Sequence, residues 1–179
     1  MISLGALLLE KQQLLQYLSQ QEQELKEAIS AGTAALRIMA DIQQSLSRAR
    51  DWSSHDTRIP SFWTDHARQD RIGQAQENLH LFQIQLQKFN KELSDVTIRP
   101  NLQVSIDRML QFGDSLYSQL TSDLSVEEGI RQSYTLSSQT REHILSVLRQ
   151  LQNALEEVRH QQNHLRQEMD TIVLRTINE

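Results

Sequence analysis

Almost nothing in this chain would interrupt a helix: 179 residues contain two prolines, Pro60 and Pro100, and five glycines. Proline removes a backbone donor and clashes with the preceding turn, and an interior glycine costs ~1 kcal/mol relative to alanine. Helices therefore run long here, and the two prolines mark where the chain must turn. The rest of the chain is rich in good helix formers, with 24 glutamines among many Leu, Glu and Arg. The predicted fold class is all-α, in a single domain over 1–179.

Apolar spacing divides the chain into four helices. The first is predicted over about 3–48, with Leu4, Leu8, Leu15, Leu18, Leu25, Ile29, Leu36, Met39 and Leu46 mostly at three-, four- and seven-residue steps. Such a helix would be about 70 Å long. Within it, Ala31, Gly32, Ala34 and Ala35 form a patch small enough for another helix to approach closely. The second helix, about 61–96, carries a heptad seam of Ile72, Ala75, Leu79, Phe82, Leu86, Phe89 and Leu93. Pro100 breaks the chain by disfavouring helix at Arg99. The third helix is predicted over about 101–122 and the fourth over about 126–176. Ser125 and Glu128 have the form of a capping box at the start of the fourth. Its seam runs through Ile144, Leu148, Leu151, Leu155, Val158, Leu165, Met169 and Ile172, with Gln162 where an apolar residue is due.

Short connections imply antiparallel neighbours. Two long and two shorter helices sharing an end near 48, 62, 122 and 126 predict an elongated antiparallel four-helix bundle. At the other end the two long helices would extend as a coiled-coil stalk, residues ~1–18 against ~155–176. That stalk holds more leucine than one seam can cover: Leu4, Leu7, Leu8, Leu9, Leu14 and Leu15. A surplus apolar face predicts self-association or a protein partner.

Charge and composition narrow the function classes. Net charge is −5, with 18 basic residues scattered among 23 acidic ones, which argues against nucleic acid as a partner. Cysteine is absent, so disulfides and thiolate metal sites are impossible. No segment approaches the ~20 apolar residues of a membrane span, and the start "MISLGALLLEK" lacks a basic region and a cleavage site. The expected location is cytoplasmic. No nucleophile elbow or phosphate-cradling glycine loop is present, and no cofactor is expected.

Several polar constellations invite a chemical reading. Glu77-x-x-His80 and Glu157-x-x-His160 resemble the paired motifs of di-iron bundles. Helical phase turns both glutamates away from the seams, and the two motifs differ in height by over ~20 Å, so no shared metal site is expected. His160 and His164, four residues apart, can face one metal from one helix, but a solvated polar face is the commoner use of that spacing. Asp56, Asp65, Asp114 and Asp123 would gather at the closed end. Aspartates near helix starts cap orphan N–H groups, and a cation or polar ligand is the alternative reading.

The stretch "SRARDWSSHDTRIPSFWTDHARQDRI" (47–72) holds both tryptophans, Trp52 and Trp63. Its arginines are nearly cancelled by Asp51, Asp56, Asp65 and Asp70. Trp52, Ile59, Phe62 and Trp63 read as a lid over the core, with a binding surface as the alternative. Here the chain resembles an uncharacterised family of helical-bundle proteins from Gram-positive bacteria. The likeness is carried by "ARDWSSHD" (49–56), "DHARQDRI" (65–72), "ELSDV" (92–96), "FGDSLYSQLTSD" (112–123) and "GIRQS" (129–133), within residues ~45–150. Where that family has glycines after the Trp and the Asp, this chain has Ser53, Ser54, Thr57 and Arg58. The resemblance implies a helical bundle and carries no activity.

The expected function is a non-enzymatic interaction or scaffold protein, with Leu4, Leu7, Leu8, Leu15, Trp52 and Trp63 as its surface. The alternatives are a small-ligand or metal-binding bundle using the closed-end aspartates, and a secreted helical-hairpin export substrate. The missing glycine after Trp52 counts against the last.

Overall fold

The computed structural model describes residues 4–54, 61–96 and 126–177, together with positions 111, 114, 115 and 118. The described chain is all-α. Helix α1 spans Leu4–Ser54, α2 spans Ser61–Asp95 and α3 spans Val126–Ile177. The helix predicted over 101–122 lies outside the described residues, apart from Gln111, Asp114, Ser115 and Ser118, which are helical and exposed.

Helix α1 continues six residues past the end that the spacing predicts, and so includes Trp52. The reason is local: Ala49 to Ser54 contain neither Gly nor Pro, and the breaker, Pro60, comes later. An apolar seam that fades does not by itself stop a helix. At α3 both carboxylate oxygens of Glu128 are taken by side chains, Arg131 on both and Gln132 on one. Arg131 and Gln132 hold the Glu128 carboxyl below its usual range.

Helices α1 and α3 lie antiparallel in one constant register. Cross-links and close approaches pair Lys11 with Glu168, Glu22 with Arg159, Gly32 with Leu148 and Gln43 with Ser138. As one number rises the other falls in step. Helix α2 packs on α1, with Gln85 Nε2 donating to the Ala31 carbonyl at 3.1 Å. Its direction follows from the six-residue connection between Ser54 and Ser61 and from the approach of Phe89 to Gly32. It therefore runs back along α1 and ends near the level of Leu25.

One apolar core joins the three helices, from Leu18 and Leu165 at one end to Leu46, Ala75 and Ile144 at the other. The small patch on α1 is where α2 comes closest. A Cβ added at Gly32 would sit 2.7 Å from Phe89 Cζ and 2.8 Å from Leu148 Cδ2, so glycine is required by space. No left-handed backbone is involved. Towards the start of α3 the buried face is polar: Ser133, Ser137 and Thr140 are all fully buried. Ser137 and Thr140 donate back to the carbonyls of Tyr134 and Leu136, which satisfies their hydroxyls within the helix.

Candidate interaction surface

Beyond the end of α2, α1 and α3 are the only described elements that continue. Burial changes there along a single stripe. Leu14, Gln21, Ala28, Ala35 and Ile42 lie seven residues apart on α1, and Ala28, Ala35 and Ile42 are fully buried. Further along the same stripe Leu14 is 48% exposed, with Tyr17 beside it 51% exposed, and Leu7 beyond them is half-buried. Helix α3 shows the matching gradient. Thr140, Val147 and Ala154 are buried, whereas Gln161 is exposed and Glu168 half-buried.

The faces of the two helices leave a shallow groove at this end. One stretch, of about 280 Å³, is lined by Leu14, Leu18, His160, His164, Leu165 and Glu168. The next, of about 170 Å³, is lined by Tyr17, Leu18, Gln21, Ala154, Val158 and Gln161. Leu18 and Gln161 border both stretches, so they form one trough with an apolar floor and a polar rim.

Polar cross-links hold the pair of helices in register where the apolar seam is thin. Lys11 Nζ lies 2.7 Å from Glu168 Oε2, and Lys11 holds the Glu168 carboxyl below its usual range. His164 Nδ1 stands 3.7 Å from the other carboxylate oxygen. Glu22 is bonded by Lys26 at 2.8 Å within α1 and by Arg159 at 3.1 Å across the interface. Those two cations, Lys26 first, bring its pKa from 4.5 to about 2. The Gln162 amide adds a little to that shift without reaching hydrogen-bond geometry. Its Nε2 is buried with no partner, in a side chain only 3% exposed.

The predicted surface residues are distributed unevenly. Leu7 and Leu8 are half-buried, and Leu15 is half-buried with its side chain packed on the core. Leu4 falls in the first turn of α1, Trp52 in the last turn of α1 and Trp63 in the first turn of α2. The side chains of these three lie outside the described residues. So do Asp56, Asp123 and the side chain of Asp65, while Asp114 is exposed. His160 and His164 are both exposed on the groove rim.

Glu77, His80, Glu157 and His160 do not converge. Among the described residues, no three His, Cys, Asp or Glu side chains come together as a metal could use them. Also among these, no helix is long and apolar enough to cross a membrane.

Sequence reasoning missed Tyr17, Val173 and Leu174, all exposed at the end of the α1–α3 pair that α2 does not reach. Tyr17 carries a signal, since it lies three residues after Leu14 and ten after Leu7. Val173 and Leu174 fall just past the seam of the fourth helix, at neighbouring positions that heptad counting does not pair.

No protein-family model, curated protein or solved structure matches the chain.

Proposed function

We propose that this chain is a non-enzymatic interaction or scaffold protein. It would be an elongated bundle, four helices at one end and a two-helix coiled-coil stalk at the other, and it would act through the stalk. One observation carries the reading: Leu9, Leu14, Tyr17, Val173 and Leu174 are all large, apolar and 43–62% exposed at the end of the α1–α3 pair. Apolar residues scattered singly over a surface need no explanation, but these five gather at one end, the other two so exposed among the described residues, Leu81 and Ile84, lying on α2. The four-helix end is supported by chain length. Residues 97–125 must return from the level of Leu25 on α1 to that of Ser54, about 45 Å at ~1.5 Å per residue. A helix over 101–122 would cover about 33 Å of that distance.

Solution mass and shape test the reading, by light scattering with small-angle X-ray scattering at two concentrations. The expected result is an elongated particle heavier than the 20.8 kDa chain. Leu9→Glu combined with Leu174→Glu should reduce the mass at unchanged helicity. A 20.8 kDa particle at both concentrations, with or without the substitutions, overturns self-association through this end.

A further inference from the structure

The histidines of the groove rim share one face of α3 with two carboxylates. Glu157, His160, His164 and Glu168 follow one another at steps of three, four and four residues within the helix. Such steps stack side chains on one side, and residues four apart have Cβ atoms about 5–6 Å from each other. Both imidazoles are exposed and line the same cavity of about 280 Å³, with Glu168 beside them. Of the other described histidines, His80 lies on α2 and His143 several turns earlier on α3. Among the described residues, two imidazoles share a face only here.

We infer that His160 and His164 chelate one divalent transition-metal ion, each through one ring nitrogen. Neutral imidazole suits Cu²⁺, Ni²⁺ and Zn²⁺, whereas Mg²⁺ and Ca²⁺ take oxygen ligands. The carboxylates of the same face already have partners. Glu157 Oε1 accepts from Gln161 Nε2 at 2.9 Å, and Glu168 Oε2 lies 2.7 Å from Lys11 Nζ.

The carboxylates therefore serve the site from outside. Glu168 Oε1 stands 3.7 Å from His164 Nδ1. A carboxylate on that side favours the proton on Nδ1 and leaves the Nε2 lone pair to the metal. Two carboxylates against the single Lys11 also make the face net negative, which favours a cation. No third His, Cys, Asp or Glu completes the set among the described residues, so water would fill the remaining positions of the metal.

The helix sets the spacing of the pair before any metal arrives. On its opposite side Val158 and Leu165 are buried in the core shared with α1, which fixes the backbone between them. Ordering on binding is then confined to two side chains. The unfolded chain has no such spacing, so the metal stabilises the folded state by mass action.

Calorimetric titration of the full chain with Ni²⁺, and separately with Mg²⁺, tests the site. Saturable binding of Ni²⁺ is expected, together with a melting temperature that rises with Ni²⁺ concentration, and neither effect with Mg²⁺. His160→Ala and His164→Ala should each abolish this binding, and His143→Ala should retain it. All three positions are exposed or half-buried and alanine favours helix, so circular dichroism should show unchanged helicity. Three results overturn the proposal. Equal responses to Ni²⁺ and Mg²⁺ would reduce the effect to attraction by charge. Undiminished binding in His160→Ala with His164→Ala would place the ion elsewhere on the chain. Loss in only one of the two single variants would mean that a lone imidazole, and not the pair, holds the metal.

Discussion

The two ends of the molecule use one sequence pattern with different results. Along the stretch covered by α2, the α1 seam is sealed, with Leu25, Met39, Ile42 and Leu46 all fully buried. Beyond α2 the same periodicity continues, yet Leu15 is half-buried and Leu14 and Tyr17 face solvent. A heptad seam encodes a partner on one side of the helix, and two helices alone cannot enclose it. Complete burial needs a third element in the groove between them. At the open end polar cross-links assist instead, and these are exposed or partly exposed pairs, which solvent screens. The covered end should therefore dominate stability, and the open end should supply the surface that associates.

The largest expected effect comes from removing what seals the covered end. Phe89→Ala deletes a fully buried ring that lies against Gly32 and should cost about 3–5 kcal/mol in urea unfolding. Leu14→Ala, measured on dilute protein, should change stability by less than about 0.5 kcal/mol. Equal losses at the two sites would erase the distinction between the ends.

A smaller effect, opposite in sign at two positions, comes from the glycines. Gly32→Ala gains ~1 kcal/mol of helix propensity but forces Phe89 and Leu148 aside in a packed core. Overpacking costs about 1–3 kcal/mol, so the expected net result is a loss of up to about 2 kcal/mol. Gly73 lies exposed on α2, and an added Cβ there meets nothing within 4 Å. Gly73→Ala should therefore stabilise by about 0.5–1 kcal/mol. Thermal denaturation of the two variants side by side decides whether the close approach of α2 at Gly32 is as tight as it stands.

Periodicity makes the helices, their approximate limits and most of the core legible in the sequence. It works for α2 because Ala75, Leu79, Phe82, Leu86, Phe89 and Leu93 are each buried, as a seam requires. It also marks Gln162 as the odd member of its seam, and that side chain is buried with an unpartnered amide nitrogen. The end of α1 is not legible, since nothing in Ala49–Ser54 favours stopping over continuing. The groove is hidden for a different reason. It depends on the relative reach of three helices, and a list of leucines does not separate Leu15, which packs inward, from Leu14, which does not. Adjacent residues on a helix differ by ~100° in direction, so the distinction appears only once register across α1 and α3 is fixed.

The finest test of the difference between the ends is acid. Glu22 has its pKa lowered from 4.5 to about 2, through Lys26 and Arg159, and Glu168 is lowered by Lys11. Two of these contacts, to Arg159 and to Lys11, tie α1 to α3 beyond the end of α2. A carboxyl whose pKa is depressed on folding stabilises the folded state fully above its unfolded value and loses that contribution as pH falls through the folded one. The open end should therefore loosen between about pH 4.5 and about pH 2. The interior around Met39 and Leu79 has no buried acid or base among the described residues and should respond less. Hydrogen exchange resolved by residue provides the measurement. Amides of 8–24 and 157–172 should speed up on acidification, after correction for intrinsic rates, before those of 28–46. Glu22→Gln removes one of the two titrating groups and should weaken that response at the open end, and Glu22→Gln with Glu168→Gln should flatten it, while the covered end stays unaltered. A uniform response along α1 would mean that the cross-links at the open end carry no stability of their own.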